Sequence, residues 1–285
     1  MTKTILSANG GEAMKKLFTA IRQGKVDEVA AILDRKPELI SCLAKAPPKK
    51  DDGQSPLMVA IKSDNPKVAH LLLDRGADVN FRDAPTQPHS ESAPIWYMAV
   101  GQCFMRAGDH VSEQSKERSK EYFLLLRRLL DMGMDPNQKF TSDFTSVNAW
   151  QQALYEYDHF VHGAYPSYYV EQTKTGNRQL REMLKAVLDE LLAHGVDIHD
   201  FTPPNEKGLS VVSVILRNVE EGRELLDGAY GLDPDSDAFK PHTVRHGGKD
   251  QVIQPSLTAE DYRRRYEIKW RELEPVLRAY YGKKR

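Results

Sequence analysis

Three stretches of this chain carry apolar residues at helical three- and four-residue steps: Val68 to Leu73, Leu124 to Leu130 and Val187 to Leu192. Each runs into a related pentad. The copies are Gly76-Ala77-Asp78-Val79-Asn80, Gly133-Met134-Asp135-Pro136-Asn137 and Gly195-Val196-Asp197-Ile198-His199. Glycine adopts the left-handed conformation that closes a helix at little steric cost. An Asp with an Asn or His two residues later suits the turn that follows. The pattern predicts a structural repeat whose units each end in an amphipathic helix and a tight turn.

Upstream of the first pentad stands Asp52-Gly53-Gln54-Ser55-Pro56-Leu57-Met58-Val59-Ala60-Ile61. Ser55 is placed to cap a helix, and Pro56 fits its first position, where no amide donor is needed. Leu57, Ala60 and Ile61 form a narrow apolar face, and small Ala60 lets a neighbouring helix approach. A second amphipathic helix follows Asn65, over about Pro66 to Asp74, so the unit is helix–turn–helix.

Residues 52–80 resemble the ankyrin repeat, with a glycine turn, a Ser-Pro-Leu-x-x-Ala start, a second helix ending in Leu-Leu, and Gly-Ala-Asp-x-Asn. Met58 stands where the family carries a His that ties neighbouring turns, so this chain departs from the pattern there. Weaker copies begin at residues 13–40, 93–137, 143–199 and 207–232, with Trp150 at a normally small position. The resemblance implies an all-α solenoid of about five helix–turn–helix units over residues 12–232, after a tail at 1–11. It also implies recognition of a protein partner through shape and polar complementarity.

The pentad glycines stand 57 and 62 residues apart, against ~33 for a regular repeat. The extra residues fall between the first and second helices of the third and fourth units, near 101–119 and 156–177. Both lie at one edge of the stack, so the first helices of these units are expected to be lengthened and to protrude together. The first insertion is polar and reads as a solvated loop or helix end. The second is rich in aromatics: Tyr155, Tyr157, Phe160, Tyr165, Tyr168 and Tyr169, with Trp150 just before. Such residues either pack on one another or face a partner, because tyrosine gives contact area at small entropic cost.

Residues 233–257 carry Asp-Pro-Asp and Gly-Gly breakers and read as a linker. A helix is expected over 258–285, with Tyr262, Tyr266, Trp270, Leu273, Leu277 and Tyr280 on one stripe and Pro275 breaking or kinking it. Its nine basic residues oppose five acidic ones. A solenoid end needs covering, so the segment is read as a capping helix packed on the solenoid, with a basic patch for an acidic partner as the alternative.

Composition narrows the function classes. The 285 residues are 40% hydrophobic and 28% charged, and 40 basic residues oppose 41 acidic ones for a net charge of -1. That balance supplies no global field for nucleic acid or acidic lipid. Neither a signal peptide nor an apolar run of ~20 residues is present, so a cytoplasmic, monomeric protein without membrane association is expected. A signal-independent secretion route is also compatible with this sequence. Two cysteines, Cys42 and Cys103, cannot build a disulfide framework or a four-thiolate zinc site. Each reads as a small buried apolar residue.

No phosphate-binding glycine loop and no nucleophile elbow occur, since Gly247-Gly248 stands alone. His159 and His162 near Asp158, and His194 with Asp197, His199 and Asp200, are the histidine clusters, and neither gives a recognisable zinc set. No catalytic residue, cofactor or metal is therefore expected. The expected partner-facing residues are Met58, Phe81, Arg82, Trp96, Tyr97, Phe140, Trp150, Tyr155, Tyr165, Tyr168 and Tyr169, with Lys49 beside them. Trp96 and Trp150 become core if the repeat register slips by one. The alternative functions are a bacterial immunity or antidote protein, or a secreted effector, that captures one specific protein. An enzyme hidden in 228–285 is disfavoured by the small size of that segment.

Overall fold

The computed structural model describes residues 8–82, 93–105, 113–141, 146–161, 174–199, 242–246, 249–253, 273 and 275–281. The chain forms two compact units, Met1–Thr202 and Pro203–Arg285. The division falls after Thr202, whereas the repeat pattern places it after residue 232. The fifth unit expected at 207–232 lies outside the described residues.

The first unit is a stack of helix pairs: α1 (Ala8–Arg22) with α2 (Val26–Arg35), α3 (Pro56–Lys62) with α4 (Pro66–Asp74), α5 (Ile95–Met105) with α6 (Glu113–Asp131), and α7 (Ala149–Val161) with α8 (Lys174–Ala193). The first helices form one row, α1 on α3 on α5 on α7, and the second helices form the other. This is an all-α repeat solenoid. Its local signals behave as expected: Ser55 Oγ accepts from the Met58 amide at 3.2 Å, with Pro56 opening α3.

Each pentad closes its helix identically. Gly76, Gly133 and Gly195 have φ of 81°, 88° and 76°, a conformation that strains any side chain. The Asp carboxylate then accepts from the amide two residues on: Asn80 N to Asp78 at 2.9 Å, Asn137 N to Asp135 at 2.9 Å, His199 N to Asp197 at 2.8 Å. The asparagine side chain reaches into the next turn. Asn80 donates to the Gly133 carbonyl at 2.9 Å and accepts from the Asp135 amide at 2.8 Å. Asn137 repeats this on Gly195 and Asp197, at 2.9 and 2.6 Å.

At the other edge Asn65 Nδ2 donates to the carbonyls of Ile21 and Arg22, at 2.9 and 3.2 Å. A Cβ on Gly24 would lie 2.5 Å from Asn65 Oδ1, so a side chain there would displace the tie between the first two units. Nearby, Asp51 is buried and accepts from Arg22 Nη1 at 3.0 Å, with Lys62 Nζ at 3.9 Å. This holds the loop before α3 against the end of α1.

The long spacing is absorbed mostly as helix. The third and fourth first helices have 11 and 13 residues against 7 in α3, so they are lengthened as expected. The larger growth falls on the second helices, with 19 and 20 residues against 9 in α4. The first insertion is not simply solvated. Gln102 and Ser119 are buried, and Gln102 Nε2 and Tyr122 Oη both donate to the Ile61 carbonyl, at 3.3 and 3.2 Å. Ser119 Oγ donates to the Cys103 carbonyl. These carbonyls lie in the last turns of α3 and α5, where intrahelical bonding runs out.

Ion pairs link successive second helices. Arg75 pairs with Asp34, Arg128 with Asp74, Arg127 with Glu190 and His194 with Asp131. Arg128 also faces His70 Nδ1 at 3.2 Å and donates to the His70 carbonyl at 3.3 Å. Burial and the Arg128 charge lower the His70 pKa, opposed by the carboxylates of Asp74 and Glu121. His194 is raised, first by its bond to the Glu190 carbonyl and further by Asp131.

In the second unit, β3 (His242–His246) pairs antiparallel with β4 (Lys249–Ile253), His246 opposite Lys249. A hairpin therefore occupies part of the expected linker. Its β-branched Thr243, Val244, Val252 and Ile253 favour strand. Leu273 and residues 275–281, Pro275 among them, are helical. Leu273, Leu277 and Tyr281 are buried at four-residue steps. The remainder of the expected 258–285 helix lies outside the described residues.

Three outcomes are expected. Asn80→Ala removes two hydrogen bonds between turns and should lower unfolding free energy by about 1–2 kcal/mol in urea melts, with Asn80→Asp intermediate because it keeps the acceptor. Asp51→Ala leaves Arg22 unpaired at a largely buried contact and should cost about 3 kcal/mol. The folded state prefers neutral His70, so its contribution is full above the unfolded pKa and is lost as pH falls through the lowered folded value. Melts of His70→Asn should lack that acid-side loss.

Candidate partner-binding surface

The turns after the second helices form one edge of the first unit, and local sequence chemistry sets their shape. Past the first pentad the chain runs through Phe81 and Arg82, and Arg82 makes an antiparallel bridge to Pro94 at the entry to α5. Past the second, β1 (Phe140–Thr141) pairs antiparallel with β2 (Ser146–Val147), which leads into α7. The two projections are joined, because Gln138 Nε2 donates to the Asn80 carbonyl at 3.4 Å as well.

Aromatic packing anchors this edge to the helices. Trp96 Nε1 donates to the Gln138 carbonyl at 2.9 Å. Tyr97 lies on Phe140, with ring centroids 4.2 Å apart and planes tilted by 30°. Tyr97 also meets Trp96 edge-on at 6.1 Å. Tyr97 remains half-exposed, as do Phe81 and Arg82, while Asp78, Asn80 and Asp135 are exposed. The edge therefore presents aromatic, cationic and anionic groups on a hydrogen-bonded frame.

The structure divides the expected partner-facing residues. Met58, Trp96 and Trp150 are fully buried and Phe140 is 5% exposed, so these four are core and not contact surface. The reason is depth of burial: the first helices bury more than one face. In α3 every residue from Pro56 to Ile61 is buried, and in α7 every residue from Ala149 to Leu154. Phe81, Arg82 and Tyr97 come together on the turn edge. Tyr155 is half-exposed on α7 and Tyr157 is buried. Lys49 is exposed in a short 3-10 turn. Tyr165, Tyr168 and Tyr169, and the side chain of Phe160, lie outside the described residues.

A second surface was not foreseen. An open groove of about 390 Å³ lies at the opposite edge, lined by Gln23, Asn65, Lys67, Glu117, Arg118 and Glu121 among others. Arg118 pairs with Glu121 at 2.8 Å and approaches Asp64 at 3.8 Å. The groove exists because α6 carries turns of helix that α4 lacks. The repeat spacing hints at extra chain there but not at its helical form.

Chemistry at the cysteines is discouraged by burial, which pushes the Cys42 thiol up to about 11 and Cys103 higher still. A thiol held that far up is a poor nucleophile. Of the two histidine clusters, His162, Asp200 and the side chains of Asp158 and His159 lie outside the described residues. In the other, Asp197 accepts from the His199 amide inside its own turn. His194 turns away from both, towards Asp131 and Glu190. Among the described residues, no helix is long and apolar enough to cross a membrane.

A family model described as ankyrin repeats (3 copies) matches residues 3–83. No curated protein is matched. The matched span holds α1 to α4, the two regularly spaced units, and ends where the long spacing begins.

Proposed function

Because the chain is an ankyrin-repeat protein, we propose that it binds a protein partner on the turn edge, through Phe81, Arg82 and Tyr97. Ankyrin repeats are in general protein–protein interaction modules, and the family is typically non-enzymatic. One observation carries the choice of surface. The side chains of Asn80 and Asn137 lock successive turns together, so the edge loses little conformational entropy when a partner docks. Tyr97 adds a large amphipathic contact already held by Phe140, and aromatic and Arg side chains are the groups that dominate binding energy at interfaces.

The test is affinity capture from native extract with quantitative mass spectrometry. The wild-type chain is compared with Arg82→Glu, with Tyr97→Ala, and with Glu12→Gln as a control distant in sequence. A specific partner should be recovered by the wild type and the control and be reduced about tenfold or more by each edge variant, with thermal unfolding confirming that the variants fold. Equal recovery of that partner by the wild type and folded edge variants overturns the assignment to this surface.

A further inference from the structure

Two histidines stand at successive contacts in the row of second helices, and the groups around them fix opposite protonation states. At the α4–α6 contact His70 Nδ1 lies 3.2 Å from Arg128 Nη1. A guanidinium only donates, so Nδ1 keeps its lone pair and the ring is neutral. At the α6–α8 contact His194 Nδ1 lies 2.9 Å from the Glu190 carbonyl and Nε2 lies 3.2 Å from Asp131 Oδ1. Both oxygens only accept, so both ring nitrogens carry protons and the ring is an imidazolium. We propose that the two histidines give the row of second helices a pH-selective response: acid releases α4 from α6 while keeping α8 on α6, and alkali releases α8 while keeping α4.

A proton on His70 Nδ1 removes the acceptor and sets an imidazolium against the guanidinium. Turning the ring towards Asp74, one helical turn on, brings no relief, because Arg128 Nη2 already donates to that carboxylate. Either way Arg128 loses a partner on α4. Among the described residues, the charges acting on His70 are Arg128 and Glu121 of α6 and Asp74 of its own helix. On the other elements packed against α4, Asp34 of α2 is turned to Arg75, and Lys62 of α3 to Asp51. Burial and Arg128 outweigh the two carboxylates, so His70 titrates below the usual histidine value of 6.5.

Loss of the Nε2 proton from His194 sets two acceptors against each other and ends the ion pair between α6 and α8. Asp131 of α6 and Glu190 of its own helix act on His194, and Arg127 of α6 holds Oε2 of Glu190 at 2.9 Å. Of the other helices packed on α8, α5 carries no charged residue, and Glu156 of α7 accepts from Gln152 Nε2 beside Gly101. The Glu190 carbonyl and the two carboxylates outweigh burial and hold the titration of His194 above 6.5.

The contribution of His70 is full above its unfolded value and is lost as pH falls through the lowered folded one. That of His194 is full below its unfolded value and is lost as pH rises through the raised folded one. Both contacts are complete only between the two folded values, a window that includes 6.5. The Asn80 clamp joins the same two units as the α4–α6 contact, so acid opens a hinge about the clamped turns rather than parting the units.

Hydrogen exchange read by mass spectrometry on the full chain, at about pH 5, 6.5 and 8 and corrected for intrinsic exchange, tests the proposal. From the middle value to the acid one, protection of α4 should fall about tenfold more than that of α8, and the order should reverse on the alkaline side. His70→Asn keeps an acceptor that does not titrate and should lose only the acid response. Asp131→Asn removes the charge that His194 pairs with and should lose only the alkaline response. Histidine NMR titration of the wild type, assigned with His70→Asn and His194→Asn, should place His70 below and His194 above the usual value. Equal loss of protection in α4 and α8 at either extreme, an acid response that survives in folded His70→Asn, or titration of both histidines on one side of that value overturns the proposal. Should a variant not fold, exchange in the wild type alone decides.

Discussion

The amide of one asparagine side chain, set into the turn of the following repeat, is the interaction on which this solenoid depends. An amide both donates and accepts, so Asn80 satisfies the Gly133 carbonyl and the Asp135 amide at once. Asn137 does the same one repeat later. Those groups sit just past a helix end, where intrahelical bonding has run out. The clamp works only if each turn has the same shape, which the left-handed glycine and the Asp-capped amide impose. Helix packing then follows from a fixed offset between turns, and a short thin core is held in register along its length.

That constraint explains how the chain tolerates spacing far above the usual repeat. The extra residues enter between the first and second helices, away from the turn edge, so the clamp is undisturbed. They lengthen helices, and Gln102, Ser119 and Tyr122 of α5 and α6 donate to carbonyls in the last turns of α3 and α5. Lengthened second helices meet through charge as well as apolar contact, with Arg127, Arg128 and His194 each bridging to a neighbouring helix. Such pairs are worth little singly when exposed. Their use lies in specifying which faces meet.

Rigidity on the turn edge and burial along the first helices have one consequence for recognition. Met58, Trp96 and Trp150 are withdrawn into the core, while Phe81, Arg82 and Tyr97 stand partly exposed at the clamped turns. A family model reaches only residue 83, yet the same glycine conformation, Asp cap and asparagine clamp continue at Gly133 and Gly195. The architecture outlasts its sequence signature because the turn chemistry needs only four or five residues, while the spacing between turns is free to grow.

Local chemistry was legible in the sequence. The pentads, the Ser55-Pro56 start and the helix pairs follow from backbone preferences and from side chains bonding within a few residues, and these act the same in any context. Three outcomes were decided only by tertiary structure. Met58, Trp96 and Trp150 became core because burial depends on which neighbours surround a helix, and periodicity gives a face but not its depth. The strand character of 242–253 was obscured by the glycines and charges that also mark a linker. The meeting of His194 with Asp131, and of Asn65 with Gly24, joins residues far apart in the chain. Sequence states which groups are able to bond, and only the packed repeats bring these ones within reach.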